Sequence, residues 1–352
     1  MRLNFYLRAG LTLALAWVSA QLCLWLHTPL PWMIGPLLVT AVATMLRAKT
    51  ESSTPLRNWG QCTIGAALGL YFTPDITQLV ASLWWAILFC IAWAMFLGLG
   101  FGFWLQRVHG RHLPQLPRST TYFAGCLGGA SEMTLLAERH HARTDLVAAT
   151  HSLRMMIVTL LIPFAIQFSG LHGIDELPAS TREVHGPGLV LLFLATGVGA
   201  WVLGRRHLPN PWFIGPLLVT MGLTMANISL SAIPTEFSNA AQLVIGVSLG
   251  VRFTPAFVHT APRWLASVAL GSLVLIGLSA GFAWVLSRYT GLQGLTLVLA
   301  TAPGGIAEMS ITAKVLQLGA PVVTTFQVCR LIAVLVLVEP IYRRFFLKPQ
   351  PV

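Results

Sequence analysis

The sequence predicts an all-α polytopic membrane protein with two inverted-topology repeats, each of about five spanning helices plus one re-entrant or broken Gly-Gly segment. Three observations lead to this prediction. The 352 residues are 55% hydrophobic and 9% charged, whereas soluble domains carry about 25% charged residues. Several apolar windows approach the ~20 residues that a spanning helix needs. Blocks of sequence also recur, in the same order, in the two halves of the chain.

The long apolar windows are the candidate spanning helices. They lie at 5–26, 76–104, 146–168, 188–204, 264–287 and 322–346. Between them are shorter stretches interrupted by glycine, several of which would be only ~22 Å long as helices. These shorter stretches lie at 32–46, 59–73, 120–138, 212–228, 241–255 and 294–316. They are too short or too broken for ordinary spans.

Composition excludes several classes of protein. So few charges cannot cover a soluble enzyme or keep a chain disordered. The five cysteines lie far apart in apolar or glycine-rich stretches, so we expect neither a disulfide framework nor a metal site. The 22 Lys and Arg against 11 Asp and Glu give a net charge of +11, but no basic run suggests a nucleic-acid partner. The predicted partners are the lipid bilayer and a small-molecule or ion substrate, with no cofactor.

Three repeated blocks indicate an internal duplication. Residues 31–40 recur as residues 211–220 with nine of ten positions identical, residues 61–74 recur as 242–255, and residues 128–133 recur as 304–309. We therefore divide the chain into a first repeat at 1–170, a polar linker at 171–187 and a second repeat at 188–352.

The positions of the basic residues bear on the orientation of the repeats. If segments 120–138 and 294–316 each enter the membrane and return, most Lys and Arg fall on one side. If they cross fully, the chain has twelve spans, the repeats are parallel and the bias is weaker. Because Lys and Arg accumulate on the cytoplasmic side, the first arrangement is favoured, with both termini cytoplasmic and the protein in the bacterial inner membrane.

Each half places a glutamate three residues after a Gly-Gly pair and an arginine 22 residues later, namely Glu132 with Arg154 and Glu308 with Arg330. Ionisable side chains at membrane depth are costly and usually mark substrate or ion pathways. The alternative is that each glutamate neutralises its arginine and holds helices together. A glutamate in the first turn of a helix would also complement the helix dipole.

The glycine pairs predict helix breaks at membrane depth. Gly128-Gly129 and Pro303-Gly304-Gly305 can interrupt a helix and direct backbone N–H groups into a cavity. Kinks or breaks are also predicted at two Gly-Pro steps that correspond in the two halves. These helix-break residues are Gly35, Pro36, Gly215 and Pro216.

His151 interrupts the symmetry, because the residue that corresponds to it before Arg330 is Gln327. His151 either handles protons or is a hydrogen-bonded structural residue. The complete set of predicted substrate- or ion-binding residues is Gly128, Gly129, Glu132, His151, Arg154, Pro303, Gly304, Gly305, Glu308, Gln327 and Arg330.

Gly35-Pro36, the 64–69 glycine segment and Pro303-Gly304-Gly305 with Glu308 and Arg330 resemble the bacterial AbrB family of membrane proteins. The resemblance spans nearly the whole chain and implies an internally duplicated inner-membrane protein. Members are variously labelled an ammonia monooxygenase or a regulator of a stress-induced acyl-CoA-dehydrogenase-like protein. The first repeat departs from the pattern, with Cys126-Leu127 where the second has Ala302-Pro303.

The residues discriminate among these functions. A copper or iron oxygenase needs clustered His and carboxylate ligands, whereas this chain has one intramembrane histidine, so we expect no enzyme activity. We predict a secondary transporter whose Arg154 and Arg330 bind an anionic or zwitterionic solute. Glu132 and Glu308 would carry the coupling proton or cation. The alternative is a membrane sensor or scaffold that acts indirectly on gene expression, and a homo-oligomer is compatible with either.

Overall fold

A computed structural model describes residues 2–110, 116–169, 183–206, 208–255 and 262–346, with the backbone alone for residues 2–4. The described residues form fifteen helices and no strand. The helices are α1 (Arg2–Trp25), α2 (Pro31–Met45), α3 (Thr54–Gly69), α4 (Pro74–Ser82), α5 (Trp84–His109), α6 (Arg118–Gly125), α7 (Ala130–Arg139), α8 (Thr144–Phe168), α9 (Gly186–Arg205), α10 (Pro211–Met225), α11 (Thr235–Gly250), α12 (Pro262–Thr290), α13 (Gly294–Thr301), α14 (Ile306–Val315) and α15 (Ala320–Phe345).

Six of these helices are long and apolar enough to cross a membrane: α1, α5, α8, α9, α12 and α15. Five of them coincide closely with apolar windows predicted from the sequence. The sixth predicted window, 76–104, is divided at Leu83 between the short helix α4 and the long helix α5. Large apolar side chains on these helices, such as Leu88, Phe96 and Leu194, are exposed, as expected for surfaces that face lipid rather than water. The chain is therefore an all-helical, multi-pass membrane protein.

The repeated sequence blocks fold into helices of equal length. Helices α2 and α10 each contain 15 residues, and α3 and α11 each contain 16. The pairs α6 with α13 and α7 with α14 match in the same way, at 8 and 10 residues. The inverted orientation of the two repeats stays a prediction. Most of the predicted linker, residues 171–182, lies outside the described residues.

The chain forms two compact units, and each unit draws segments from both halves of the sequence. Unit 1 contains Met1–Ser82, Thr159–His259 and Ala307–Thr324, and unit 2 contains Leu83–Val158, Thr260–Ile306 and Thr325–Val352. The repeats predicted from the sequence are therefore not the compact units. Unit 2 contains both broken helical segments up to residue 306.

In unit 1, helices from the two halves pack against each other through glycine. Helix α2 packs on α11, and α3 packs on α10. A methyl group on Gly246 would lie 2.5 Å from the Met33 carbonyl oxygen, and one on Gly69 would lie 2.7 Å from that of Leu217. Small residues at this spacing let helix backbones approach closely in membranes. The repeated glycine motif is therefore explained by packing.

Of the kinks or breaks predicted at the two Gly-Pro steps, breaks are not found, and kinks stay a prediction. Helices α2 and α10 continue as single helices through Pro36 and Pro216. A proline inside a helix removes one backbone hydrogen bond, and the residues on either side of Pro36 and Pro216 are nevertheless helical. Gly35 instead allows close packing on α1, since a methyl group there would lie 2.8 Å from the Ser19 carbonyl oxygen. Gly215 makes the matching approach to α9.

We predict that Gly246→Ala lowers the free energy of unfolding by about 1–3 kcal/mol, because the added methyl group forces the α2 and α11 backbones apart. Thermal or denaturant unfolding of the purified protein in detergent measures the change. Gly197→Ala in α9 is the control, since nothing lies within 4 Å of its added methyl group; it should shift stability by less than about 1 kcal/mol. Equal stability of the two variants would contradict this account of the glycine motif.

Candidate functional site

Both Gly-Gly segments are discontinuous helices. Helix α6 ends before Cys126 and α7 begins after Gly129, while α13 ends before Ala302 and α14 begins after Gly305. The capping residues Cys126 (φ −55°, ψ 140°) and Ala302 (φ −55°, ψ 141°) have almost the same extended conformation. Ala302 precedes Pro303, which disfavours the helical conformation. Cys126 adopts this conformation without a proline, so another interaction must favour it there.

That interaction comes from the predicted arginines. Arg154 on α8 donates from Nη2 to the Cys126 carbonyl oxygen at 3.2 Å. Arg330 on α15 donates to the Ala302 carbonyl oxygen and, from Nη2, to that of Gly304 at 2.7 Å. The last carbonyls of a helix lack intrahelical partners and carry partial negative charge. Each arginine therefore caps the carbonyl end of a half-helix, from 28 residues further along the chain.

His151 and Gln327 make equivalent contacts. His151 Nε2 lies 3.0 Å from the Phe123 carbonyl oxygen, and Gln327 Nε2 donates to that of Leu299 at 2.8 Å, again at a separation of 28 residues. Because a carbonyl can only accept, Nε2 of His151 carries the proton. Its Nδ1 then accepts from Arg154 Nη2 at 2.9 Å. The geometry gives His151 the same donor role as Gln327, which fits the structural alternative.

The two glutamates occupy the opposite ends of the breaks. Glu132 and Glu308 are each the third residue of their helix, α7 and α14. The Glu132 carboxylate turns back over Gly129 and lies where a side chain on Gly129 would be. Glu308 is 6% exposed and accepts a hydrogen bond from its own backbone N–H. Both acids thus lie at helix N-termini, which carry partial positive charge.

One alternative from the sequence is that each glutamate neutralises its arginine. Within unit 2, no ion pair joins Glu132 to Arg154 in the part of the chain that the structure describes. Arg154 uses carbonyl and imidazole acceptors instead. Neutralisation of the buried Arg154 by a protein carboxylate is therefore not the arrangement found.

Unit 1 contains two half-buried basic residues, Arg252 and Lys314, whose surroundings the sequence analysis does not predict. The charge of Arg252, just after α11, acts on both Glu308 and Arg57. Lys314, near the end of α14, donates to Ser238 Oγ at 3.3 Å. Arg57 and Arg252 are among the basic residues that the topology prediction places on the cytoplasmic side. The available signal is the position of Arg252 inside the repeated block 242–255, where the first copy has Tyr71.

Buried polar atoms of unit 2 remain without partners. Arg154 and Arg330 are 3% and 5% exposed. Arg154 Nη1, Arg330 Nε and Gln327 Oε1 have no hydrogen-bond partner among the described residues. Unpaired buried donors cost free energy, and guanidinium groups are well suited to carboxylate or phosphate. The arrangement can therefore bind a small anion.

Metal binding has no comparable support. Across the described ranges, no group of three or more His, Cys, Asp or Glu side chains could hold a metal ion. His151 is already engaged through both ring nitrogens.

We predict that His151→Gln preserves stability, because glutamine makes the corresponding contact at position 327. His151→Leu should lower the free energy of unfolding by about 1–3 kcal/mol, since it leaves the buried Phe123 carbonyl unpaired. Thermal unfolding of both variants in the same detergent measures the difference. A loss of stability in His151→Gln as large as that in His151→Leu would show that the imidazole itself is required.

Comparison with known proteins gives one family. The family model described as "Transition state regulatory protein AbrB" matches residues 10–346. The chain is 25% identical over 339 residues to "Uncharacterized protein YhjN" of Bacillus subtilis (strain 168), covering 89% of this chain and 86% of the relative. It is 24% identical over 323 residues to "Putative regulator AbrB" of Escherichia coli (strain K12), covering 91% and 90%. With nearly its whole length matched, the chain belongs to the AbrB family.

Proposed function

We propose that this protein is a secondary transporter that moves a small anionic or zwitterionic solute across the bacterial inner membrane. The observation that carries the proposal is the pair of buried arginines in unit 2, whose unpartnered donors lie beside two broken helices. Transporters build midplane substrate sites from discontinuous helices whose N-termini face anionic groups. A solute carboxylate or phosphate at Arg154 and Arg330 would satisfy donors that the described protein leaves unused.

The proposal assigns coupling to the carboxylates. In broken-helix transporters, exposed backbone carbonyls can coordinate the coupling cation. Here the arginines already occupy carbonyls of Cys126, Ala302 and Gly304. Glu132 and Glu308 are therefore the groups left to carry a coupling proton or cation. Both termini would be cytoplasmic. The solute would be transported without chemical change, and transport would need neither nucleic acid nor a cofactor.

The second candidate is a membrane sensor or scaffold. The E. coli relative has a name that refers to regulation, and a sensor could act on gene expression through its cytoplasmic loops, as a monomer or a homo-oligomer. Such a protein needs no pathway through its interior. It would keep the breaks at 126–129 and 302–305 closed to both sides of the membrane.

We predict that Arg154→Gln and Arg330→Gln each raise the KM for uptake at least about tenfold, because a charge-assisted contact contributes about 1.5–3 kcal/mol. Proteoliposomes with an imposed pH gradient, tested with labelled amino acids, monocarboxylates, dicarboxylates and phosphate, provide the measurement. Arg205→Gln is the matched control, since Arg205 is exposed and stacks on Trp201 at 4.5 Å. Glu132→Gln and Glu308→Gln should weaken the dependence of uptake on the pH gradient.

Folding of each variant is checked by its unfolding temperature and by gel filtration. Stabilisation by the transported solute is a second readout of binding. Folded Arg154→Gln and Arg330→Gln proteins with unchanged uptake and unchanged stabilisation by solute would show that the site is assigned incorrectly.

We predict that single cysteines at Leu127 and Gly304 react with membrane-impermeant thiol reagents from both sides of the membrane. The background variant lacks Cys23, Cys62, Cys90, Cys126 and Cys329. Inside-out and right-side-out vesicles provide the two directions. Labelling from neither side would favour the sensor over the transporter.

A further inference from the structure

Unit 2 contains a cavity at the ends of helices α5, α6 and α15. Its volume is about 680 Å³, within the range of about 300–1,000 Å³ that small-molecule pockets occupy. The walls are mostly apolar and include Leu99 and Phe103 of α5, Tyr122 of α6, and Ile341 and Phe345 of α15. This end of unit 2 is separate from the capping contacts of Arg154 and Arg330, because none of those residues lines it.

The mouth of this groove is apolar and exposed. Phe103 is 71% and Phe345 is 72% exposed, and both belong to helices long and apolar enough to span a bilayer. Such side chains face lipid in a membrane. A ligand can therefore enter the groove from the bilayer.

Polar groups in the wall already bind within the protein. Thr121 donates to Gln106 Oε1 at 2.8 Å, and the Tyr122 hydroxyl donates to the Val338 carbonyl oxygen at 2.8 Å. Because these hydroxyl protons are used internally, the interior of the groove suits a hydrocarbon chain better than a polar solute.

One arginine lines the groove, and two more lie at the same helix ends. Arg118, at the start of α6, lines the groove, and Arg107 and Arg344 lie exposed near the ends of α5 and α15. Arg343 is engaged by Glu339 at 2.6 Å. Within the described residues, Arg107, Arg118 and Arg344 form no ion pair. Arginine at this position, beside an apolar groove, is complementary to a lipid phosphate.

We propose that this groove binds an anionic glycerophospholipid, with one acyl chain between α5, α6 and α15 and the phosphate at Arg118. The apolar walls exclude a fully polar ligand, and the exposed mouth connects the groove to the bilayer. The unpaired arginines favour an anionic headgroup over a zwitterionic one. The bound lipid holds the start of α6 against α5 and α15. Helix α6 is the half-helix that leads to the break at Cys126.

This proposal is tested by adding either phosphatidylglycerol or phosphatidylcholine, with identical acyl chains, to the delipidated protein in detergent. The binding of the two lipids is then compared. We expect phosphatidylglycerol to raise the unfolding temperature more and to be retained in native mass spectra. Arg118→Gln should weaken its binding about fivefold, from the loss of one basic group near a lipid headgroup. Leu99→Trp places a larger side chain in the groove and should weaken the binding of both lipids. The matched control is Arg205→Gln, which removes an exposed arginine of unit 1 and should bind phosphatidylglycerol like the wild type.

Several outcomes would overturn the proposal. Equal binding of both lipids by the wild type, or equal losses in Arg118→Gln and Arg205→Gln, would show that the arginine at the groove does not select an anionic lipid. Unchanged binding in Leu99→Trp would show that no acyl chain enters the groove. Stabilisation by decanoate but not by phosphatidylglycerol would assign the groove to a soluble amphipathic acid.

Discussion

The contact between a buried arginine and the carbonyl end of a half-helix is the interaction on which the rest of unit 2 depends. A helix that stops inside a membrane exposes carbonyls that water cannot reach, and each unsatisfied group costs several kcal/mol. Arg154 and Arg330 satisfy those carbonyls at equivalent places in the two halves. The breaks in these helices can then persist, and so can the helix N-termini that follow them.

Close helix packing through glycine occurs within each unit, and unit 2 adds polar contacts around its helix breaks. In unit 1, glycine brings helix backbones into direct contact, as at Gly246 and Met33. In unit 2, a methyl group on Gly125 of α6 would lie 2.5 Å from the Gly98 carbonyl oxygen of α5. Around the breaks in unit 2, the contacts are polar and are supported by aromatic packing. Phe123, whose carbonyl binds His151, stacks on His140 at 5.5 Å and contacts Tyr342 at 5.1 Å between ring centroids. The same aromatic side chains that fix α6 against α15 therefore also fix the carbonyl that His151 binds.

Much of this organisation follows from the sequence. Apolar length identifies the six long helices, and the glycine pairs locate both helix breaks. The effect of Gly35-Pro36 could not be inferred, because it depends on the close approach of α1 to Gly35. The equivalence of His151 and Gln327 could not be inferred either, because it depends on which backbone carbonyls their side chains contact. Arg252 looked like a loop charge because its action on Glu308 depends on the packing of segments far apart in the chain.

The guanidinium groups of Arg154 and Arg330 have two roles in the proposed function. They cap the half-helices, and their remaining donors bind an anion. Electron cryomicroscopy of the protein with and without the solute identified by uptake tests this combination most directly. The account predicts additional density within hydrogen-bond distance of Arg154 Nη1 or Arg330 Nε, while both arginines keep their carbonyl contacts. Solute density elsewhere in the protein, or an Arg154 paired with Glu132 in the solute-free state, would contradict it.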